Sequence, residues 1–121
     1  MDCYRPYFLY GTLRRGHFNY HRLALSRNTL WLGRALLEGA RMYDLGGLPC
    51  IVLTGLSKDT AVGELVMFRN AATLRAVRKM ELAAGYHEVT VSVTGQEAYT
   101  FVFDHVPDNA THIASGDWST G

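Results

Sequence analysis

Apolar residues along this chain come in short bursts, most of them the length of one strand and few long enough for more than a brief helix. Residues 7–10 form an unbroken apolar run, the pattern of a strand buried on both faces. Residues 21–26 mix polar and apolar positions at helical spacing and predict a short helix. Residues 31–37 read as a strand, with Gly33 as a bulge or a point of close approach. Residues 40–45 form another extended piece, stopped by Gly46 and Gly47. Pro49 bars helix there, and residues 50–53 make a compact apolar strand. Residues 54–60 are polar and turn-rich, hence a surface loop. Residues 62–68 are apolar on both faces of a strand, which calls for a closed or covered sheet.

The second half changes period. Asn70 is a good N-cap and Gly85 a good residue just past a helix end, so residues 71–84 predict a helix. Val89, Val91 and Val93 then alternate with Thr90, Ser92 and Thr94 as a half-buried strand. Thr94-Gly95-Gln96-Glu97 reads as a hairpin turn into an aromatic strand over residues 99–103. Residues 107–109 form a loop, and the tail is expected to pack back through Trp118. These elements predict one domain over residues 1–121 of the α+β class. The architecture expected is a small mixed β-barrel of six or seven strands flanked by two or three short helices.

Composition narrows the function classes. The chain has 121 residues, 48% hydrophobic and 19% charged, with a formal net charge of +1. That balance belongs to a globular domain and gives no electrostatic pull toward nucleic acid or an anionic membrane. Cys3 and Cys50 are too far apart in sequence for a disulfide framework or a zinc ligand set, pointing to a reducing, cytoplasmic setting. The opening residues lack the basic and apolar regions of a signal peptide, and no apolar run has transmembrane length.

Candidate chemistry sits in two places. Tyr10-Gly11-Thr12-Leu13-Arg14-Arg15-Gly16-His17-Phe18-Asn19 lies between a strand and a helix. A strand that breaks into a glycine-bearing loop leaves backbone N–H groups facing one point, suited to a carboxylate, a phosphate or a developing oxyanion. The Gly11-to-Gly16 spacing matches the start of a phosphate loop. His17 and Phe18 stand where the lysine and hydroxyl residue belong, so the nucleotide reading fails. The second place is the later helix. At 100° per residue Leu74, Val77, Glu81 and Ala84 share a stripe about 80° wide, while Arg75, Lys79 and Leu82 lie off it. Glu81 thus takes a position where the core face should hold Leu or Ile. A buried carboxyl either finds a partner or has its pKa raised, and a raised acid suits proton transfer near neutral pH. The alternatives are that Glu81 snorkels to solvent from the helix end or pairs with Arg78.

Other constellations carry less. His17 and His21 stand four apart but have no third ligand, so no metal is expected. No G-x-S-x-G elbow is present, and Cys50 on an apolar strand reads as core rather than nucleophile. Arg14 and Arg15 either attract an anionic substrate tail or are solvated loop charges. Asn19 reads as a cap for the following helix.

Taken together, Y-G-T-L-R-R-G-H-x-N at residues 10–19 and Glu81 resemble the γ-glutamylcyclotransferase-like family, in particular the branch of γ-glutamylamine cyclotransferases and small bacterial relatives. Gly47-Leu48-Pro49-Cys50-Ile51-Val52 resembles the family's G-x-P-x-I/V strand, and Val62-Gly63-Glu64-Leu65-Val66 its V-x-G-E-V/L strand. Tyr86 is similar to a Tyr shortly after the acid, and residues 98–102 resemble the last aromatic strand. Three positions depart. The family pattern has Asp three residues before the acid, Gly directly after it, and Arg two residues after the Tyr; here these are Arg78, Leu82 and Glu88.

The resemblance implies an intramolecular reaction. The α-amine of a γ-glutamyl group attacks its own γ-carbonyl, releasing 5-oxoproline and a free amine, with no cofactor and no metal. It implies Glu81 as general acid and base, and backbone N–H groups of Gly11, Thr12 and Leu13 as donors to the oxyanion or the substrate's α-carboxylate. Gly11 would let substrate approach the backbone, while Tyr10 and Tyr86 would be pocket walls or hydroxyl donors. The expected partner is a small γ-glutamyl substrate, and the assembly a monomer or homodimer. Two other readings stand beside it: a non-catalytic small-molecule-binding or regulatory fold-mate, and a pocket acid serving another amide or ester rearrangement.

Overall fold

The computed structural model describes residues 5–118, so Cys3 lies outside the described residues. Its centre is the shortest apolar run of the sequence. β1 (Tyr7–Leu9) pairs antiparallel with β5 (Thr60–Phe68) and parallel with β7 (Gln96–Val102). Outside these lie β2 (Thr29–Glu38) on β5 and β6 (His87–Val93) on β7, giving the order β2-β5-β1-β7-β6. Because side chains alternate across a strand, β1 feeds two cores. Tyr7 and Leu9 pack with Leu25, Phe68, Leu74, Val77 and Phe101 on the helical side. Phe8 and Tyr10 pack with Ala35, Leu37, Met42, Ile51 and Trp118 on the other. That double burial is why β1 and β5 show no polar face.

The expected closed barrel is not what forms. The chain builds this five-stranded sheet and a second, three-stranded one, β4-β3-β8, from β3 (Ala40–Asp44), β4 (Pro49–Leu53) and β8 (Thr111–His112). Eight strands are thus present among the described residues, against the six or seven expected. The large sheet has free edges at β2 and β6, and its second face is covered by the small sheet and the tail rather than by closure. A both-faces-apolar strand calls for cover, and two packed layers satisfy it as well as a ring does.

Local predictions hold where one residue dictates the backbone. Gly33, at φ 138°, sits at the register shift between β2 and β5, the expected bulge. Thr94 and Gly95, at φ 50° and 81°, make a two-residue turn between β6 and β7, tighter than the four residues expected, with Gln96 and Glu97 already in β7. Gly63 has no room for a side chain: a Cβ there would lie 2.6 Å from the Leu9 carbonyl oxygen and from the Phe8 ring. The single helix expected over residues 21–26 is two, α1 (Phe18–Arg22) and α2 (Leu25–Asn28), because Ala24 turns left-handed between them at φ 51°. The Asn28 amide donates to the Ala24 carbonyl at 3.0 Å and holds that turn.

α3 (Ala71–Ala83) follows its caps. The Asn70 side chain accepts the Thr73 N–H at 2.8 Å. At the other end Gly85, at φ 96°, lets the Gly85 N–H reach the Leu82 carbonyl and the Tyr86 N–H reach the Glu81 carbonyl, both at 3.1 Å. This paired C-terminal closure fixes Tyr86 beside the last turn that carries Glu81. The tail packs back as expected: the Gly116 carbonyl accepts the Val62 N–H at 2.7 Å, and Trp118 is 4% exposed. No helix among the described residues is long and apolar enough to cross a membrane.

Candidate active site

One cavity gathers the residues that the sequence singled out. Tyr10, Gly11, Thr12 and Leu13 line it from the first loop, and Glu81 and Tyr86 from the end of α3 and the turn after it. Its interior holds about 90 Å³, and about 550 Å³ when the space open to solvent is counted.

The start of the loop uses its carbonyls and leaves three N–H groups without a partner among the described residues. The Thr12 carbonyl accepts the N–H groups of Asn19 and Tyr20 at 3.0 and 3.1 Å, and the Gly11 carbonyl accepts that of Arg14 at 3.0 Å. The N–H groups of Gly11, Thr12 and Leu13 make no hydrogen bond among the described residues. Unpaired amide donors in residues that line a cavity favour a negative charge there. Asn19 does not cap α1, which begins at Phe18 with no side-chain cap. Its amide donates instead to Thr12 Oγ1 at 2.6 Å, tying helix to loop, and the residue joins the cavity wall.

The three glycine-bearing motifs meet here. A Cβ on Gly11 would lie 2.7 Å from Pro49 Cγ, so Gly11 makes room for the β4 proline. Glu64 of β5 accepts the Arg15 N–H at 2.8 Å and anchors the loop from below. Both arginines make contacts beside the loop. Arg14 Nη1 pairs with Asp117 Oδ1 at 2.6 Å and reaches the Trp118 carbonyl at 3.2 Å, so the C-terminal tail clamps the loop. The Arg15 guanidinium lies 4.2 Å over the Trp31 ring.

Glu81 is partly buried and accepts no hydrogen bond and forms no ion pair through its side chain among the described residues. Burial lifts its carboxyl from 4.5 to about 7. Arg78, its expected alternative partner, turns away: Nε stands 3.0 Å from Glu88 Oε1 of β6. Leu74 and Val77 of the predicted stripe are fully buried, while Ala84 is exposed at the cavity mouth with Leu48 and Met80. Leu82, off the stripe, is 51% exposed.

The tyrosines are walls. Tyr10 donates its hydroxyl proton to the Phe101 carbonyl at 2.6 Å and accepts the Ile51 N–H at 3.3 Å. Tyr86 donates to the Pro49 carbonyl at 2.5 Å. Burial pushes both hydroxyls above their ordinary value, and the nearby Glu81 adds to the effect. A phenol whose one proton is already donated to backbone shapes the site without serving as an acid. Cys50 is fully buried and its thiol pushed up to about 11 by that burial, the behaviour of a core residue. No cluster of three or more His, Cys, Asp or Glu with metal-binding geometry exists among the described residues, and His17 and His21 form none. Sequence reasoning missed Leu48, Pro49 and Met80 as cavity residues. Pro49 was visible in its strand motif, whereas Leu48 and Met80 carry no chemical signal.

Known proteins share this fold. The family model described as "Gamma-glutamyl cyclotransferase, AIG2-like" matches residues 7–120. An uncharacterised protein of Pyrococcus horikoshii has a similar structure, with a TM-score of 0.76, 26% identity, and coverage of 93% of this chain and 88% of that one. The protein ytfP of Escherichia coli gives a TM-score of 0.72 at 25% identity, covering 94% and 96%. An AIG2-like protein of Mus musculus shares the fold, with a TM-score of 0.72 at 19% identity and coverage of 91% and 86%. A search of curated protein sequences finds no match.

Proposed function

Since the chain belongs to the gamma-glutamyl cyclotransferase, AIG2-like family, we propose that it cyclises the γ-glutamyl group of a small amide to 5-oxoproline with release of an amine. What carries this reading is the lone Glu81 carboxyl, with a pKa of about 7, sharing a cavity with the unpaired N–H groups of Gly11, Thr12 and Leu13.

The chemistry follows from proton accounting. The substrate's α-ammonium is not nucleophilic, so ionised Glu81 takes one of its protons. The freed nitrogen attacks the γ-carbonyl carbon, closing a five-membered ring whose proximity advantage is intrinsic to the chain. In the tetrahedral intermediate Glu81 gives the proton it now holds to the departing nitrogen as the C–N bond breaks. The freed carboxylate takes the second proton from the ring nitrogen, so the lactam keeps one N–H. That second proton passes to the released amine, which becomes its ammonium form and leaves Glu81 ionised again. The loop N–H groups hold either the developing oxyanion or the α-carboxylate, and the carboxylate role fixes the γ-glutamyl head in the cavity.

Arg78, Leu82 and Glu88, where the chain departs from the family pattern, lie outside the cavity lining, which favours retained turnover over a ligand-binding role alone. The test is a panel of γ-glutamyl amides, γ-glutamyl dipeptides and glutathione assayed for 5-oxoproline, with Glu81→Gln as control. Release by the wild type and not by the variant is the expected result. A tightly retained ligand with no turnover across the panel would point to the non-catalytic fold-mate instead.

A further inference from the structure

The cavity lining contains one carboxyl and no Lys or Arg, yet a guanidinium is held against its rim. Arg22, the last residue of α1, is exposed. Its Nε donates to Asn19 Oδ1 at 3.2 Å and its Nη2 to Met80 Sδ at 3.6 Å. Asn19 and Met80 both line the cavity, from α1 and α3. Arg22 therefore bridges the two helices across the rim. It differs from the other arginines around the site. Arg14 is paired with Asp117, Arg15 lies on Trp31, and Arg78 faces Glu88. Arg22 has no carboxylate within ion-pair distance among the described residues. A guanidinium offers five donors in a fixed fork, and two N–H groups are engaged here, one by a weak sulfur acceptor.

Where the leaving amine goes fixes what Arg22 could read. On the cyclotransferase reading the γ-glutamyl head is common to every substrate and is held inside by the Gly11, Thr12 and Leu13 amides. Leu48, Met80 and Ala84 give the lining an apolar side. A variable amine that leaves past Met80 would reach Arg22. We propose that Arg22 is a specificity-determining residue that binds an anionic group, a carboxylate or sulfonate, carried on an apolar stem of the leaving amine. This rests on the cyclotransferase reading of the site. A solvent-facing fork contributes modestly per contact, more when both N–H groups engage the same anion.

Two substrates with one apolar stem separate the possibilities: the γ-glutamyl amide of 6-aminohexanoate, and γ-glutamyl-pentylamide, which lacks only the terminal carboxylate. Wild type should prefer the carboxylate compound by about tenfold in kcat/KM, mostly through KM, the size of an exposed to bidentate pair. Arg22→Met should remove that preference by losing rate on the carboxylate compound alone, and Arg22→Lys should keep part of it. Equal losses on both substrates would overturn the proposal, because a helix-bridging or head-group role does not sense the leaving carboxylate. Equal wild-type rates on both, or a preference for the neutral amide, would overturn it too. Turnover without charge preference sinks only the role of Arg22. Absence of 5-oxoproline from every γ-glutamyl compound sinks the reaction and this inference together.

Discussion

Glu81 and Glu88 stand on either side of the Gly85 turn, one ending α3 and the other beginning β6, and they have opposite surroundings. Glu88, its side chain 18% exposed, faces Arg78 at 3.0 Å and accepts the Tyr7 hydroxyl at 2.8 Å. Glu81 faces the cavity with no partner, and burial raises its carboxyl to about 7. A partnered carboxylate stays ionised and holds elements together, whereas an unpartnered one is left free to exchange protons. Two of the three departures from the family pattern lie in this contrast. Where that pattern carries Asp and Arg, this chain carries Arg78 and Glu88, and these two meet. In this chain the two opposite charges lie in the α3–β6 seam, outside the cavity lining.

The hardest blow to this contrast is Glu81→Gln. It should cut 5-oxoproline release by about 10²–10⁴-fold while leaving the fold intact, measured by initial rates and circular dichroism. A milder loss would mean that another group moves the proton. In the wild type kcat/KM should fall as pH drops below about 7, because Glu81 must be ionised to act as base. Stability should move the other way. The folded carboxyl binds its proton more tightly than the unfolded one, so wild-type stability declines as pH rises from 4.5 to about 7. Glu81→Gln escapes that decline. Its advantage in denaturant midpoint should open across the same window and level off at no more than about 3 kcal/mol.

Glu88 should behave as a structural residue. Glu88→Gln strands Arg78 and weakens the Tyr7 contact, for a loss of about 1–3 kcal/mol in urea unfolding. Activity should fall far less than in Glu81→Gln. Exchanging the pair, Arg78→Glu with Glu88→Arg, should recover most of that stability, as a double-mutant cycle would show. The smallest change, Tyr7→Phe, removes one part-buried hydrogen bond and should cost about 1 kcal/mol without altering the pH at which the rate inflects.

Much of this was readable from local pattern. The unbroken apolar run at residues 7–10, the caps Asn70 and Gly85 and the positive-φ glycines at 33 and 95 set their elements because local sequence decides each one. Glu81 stood out because a carboxylate interrupted an apolar stripe. The break at Ala24 had no such mark, since alanine gives no signal for a left-handed turn. Hence one expected helix became two.

The sequence by itself determined the alternation that buries β1 on both faces, the ends of α3, and a lone acid on that helix's inner face. Those follow from torsional preference and solubility, which each residue carries with it. Only the tertiary structure decided that two sheets cover each other without closing, that Arg78 belongs to Glu88 rather than Glu81, that Arg14 serves the tail, and that Gly11 yields to Pro49. Each of those is a pairing between residues distant along the chain, and a partner's position is a property of the folded whole.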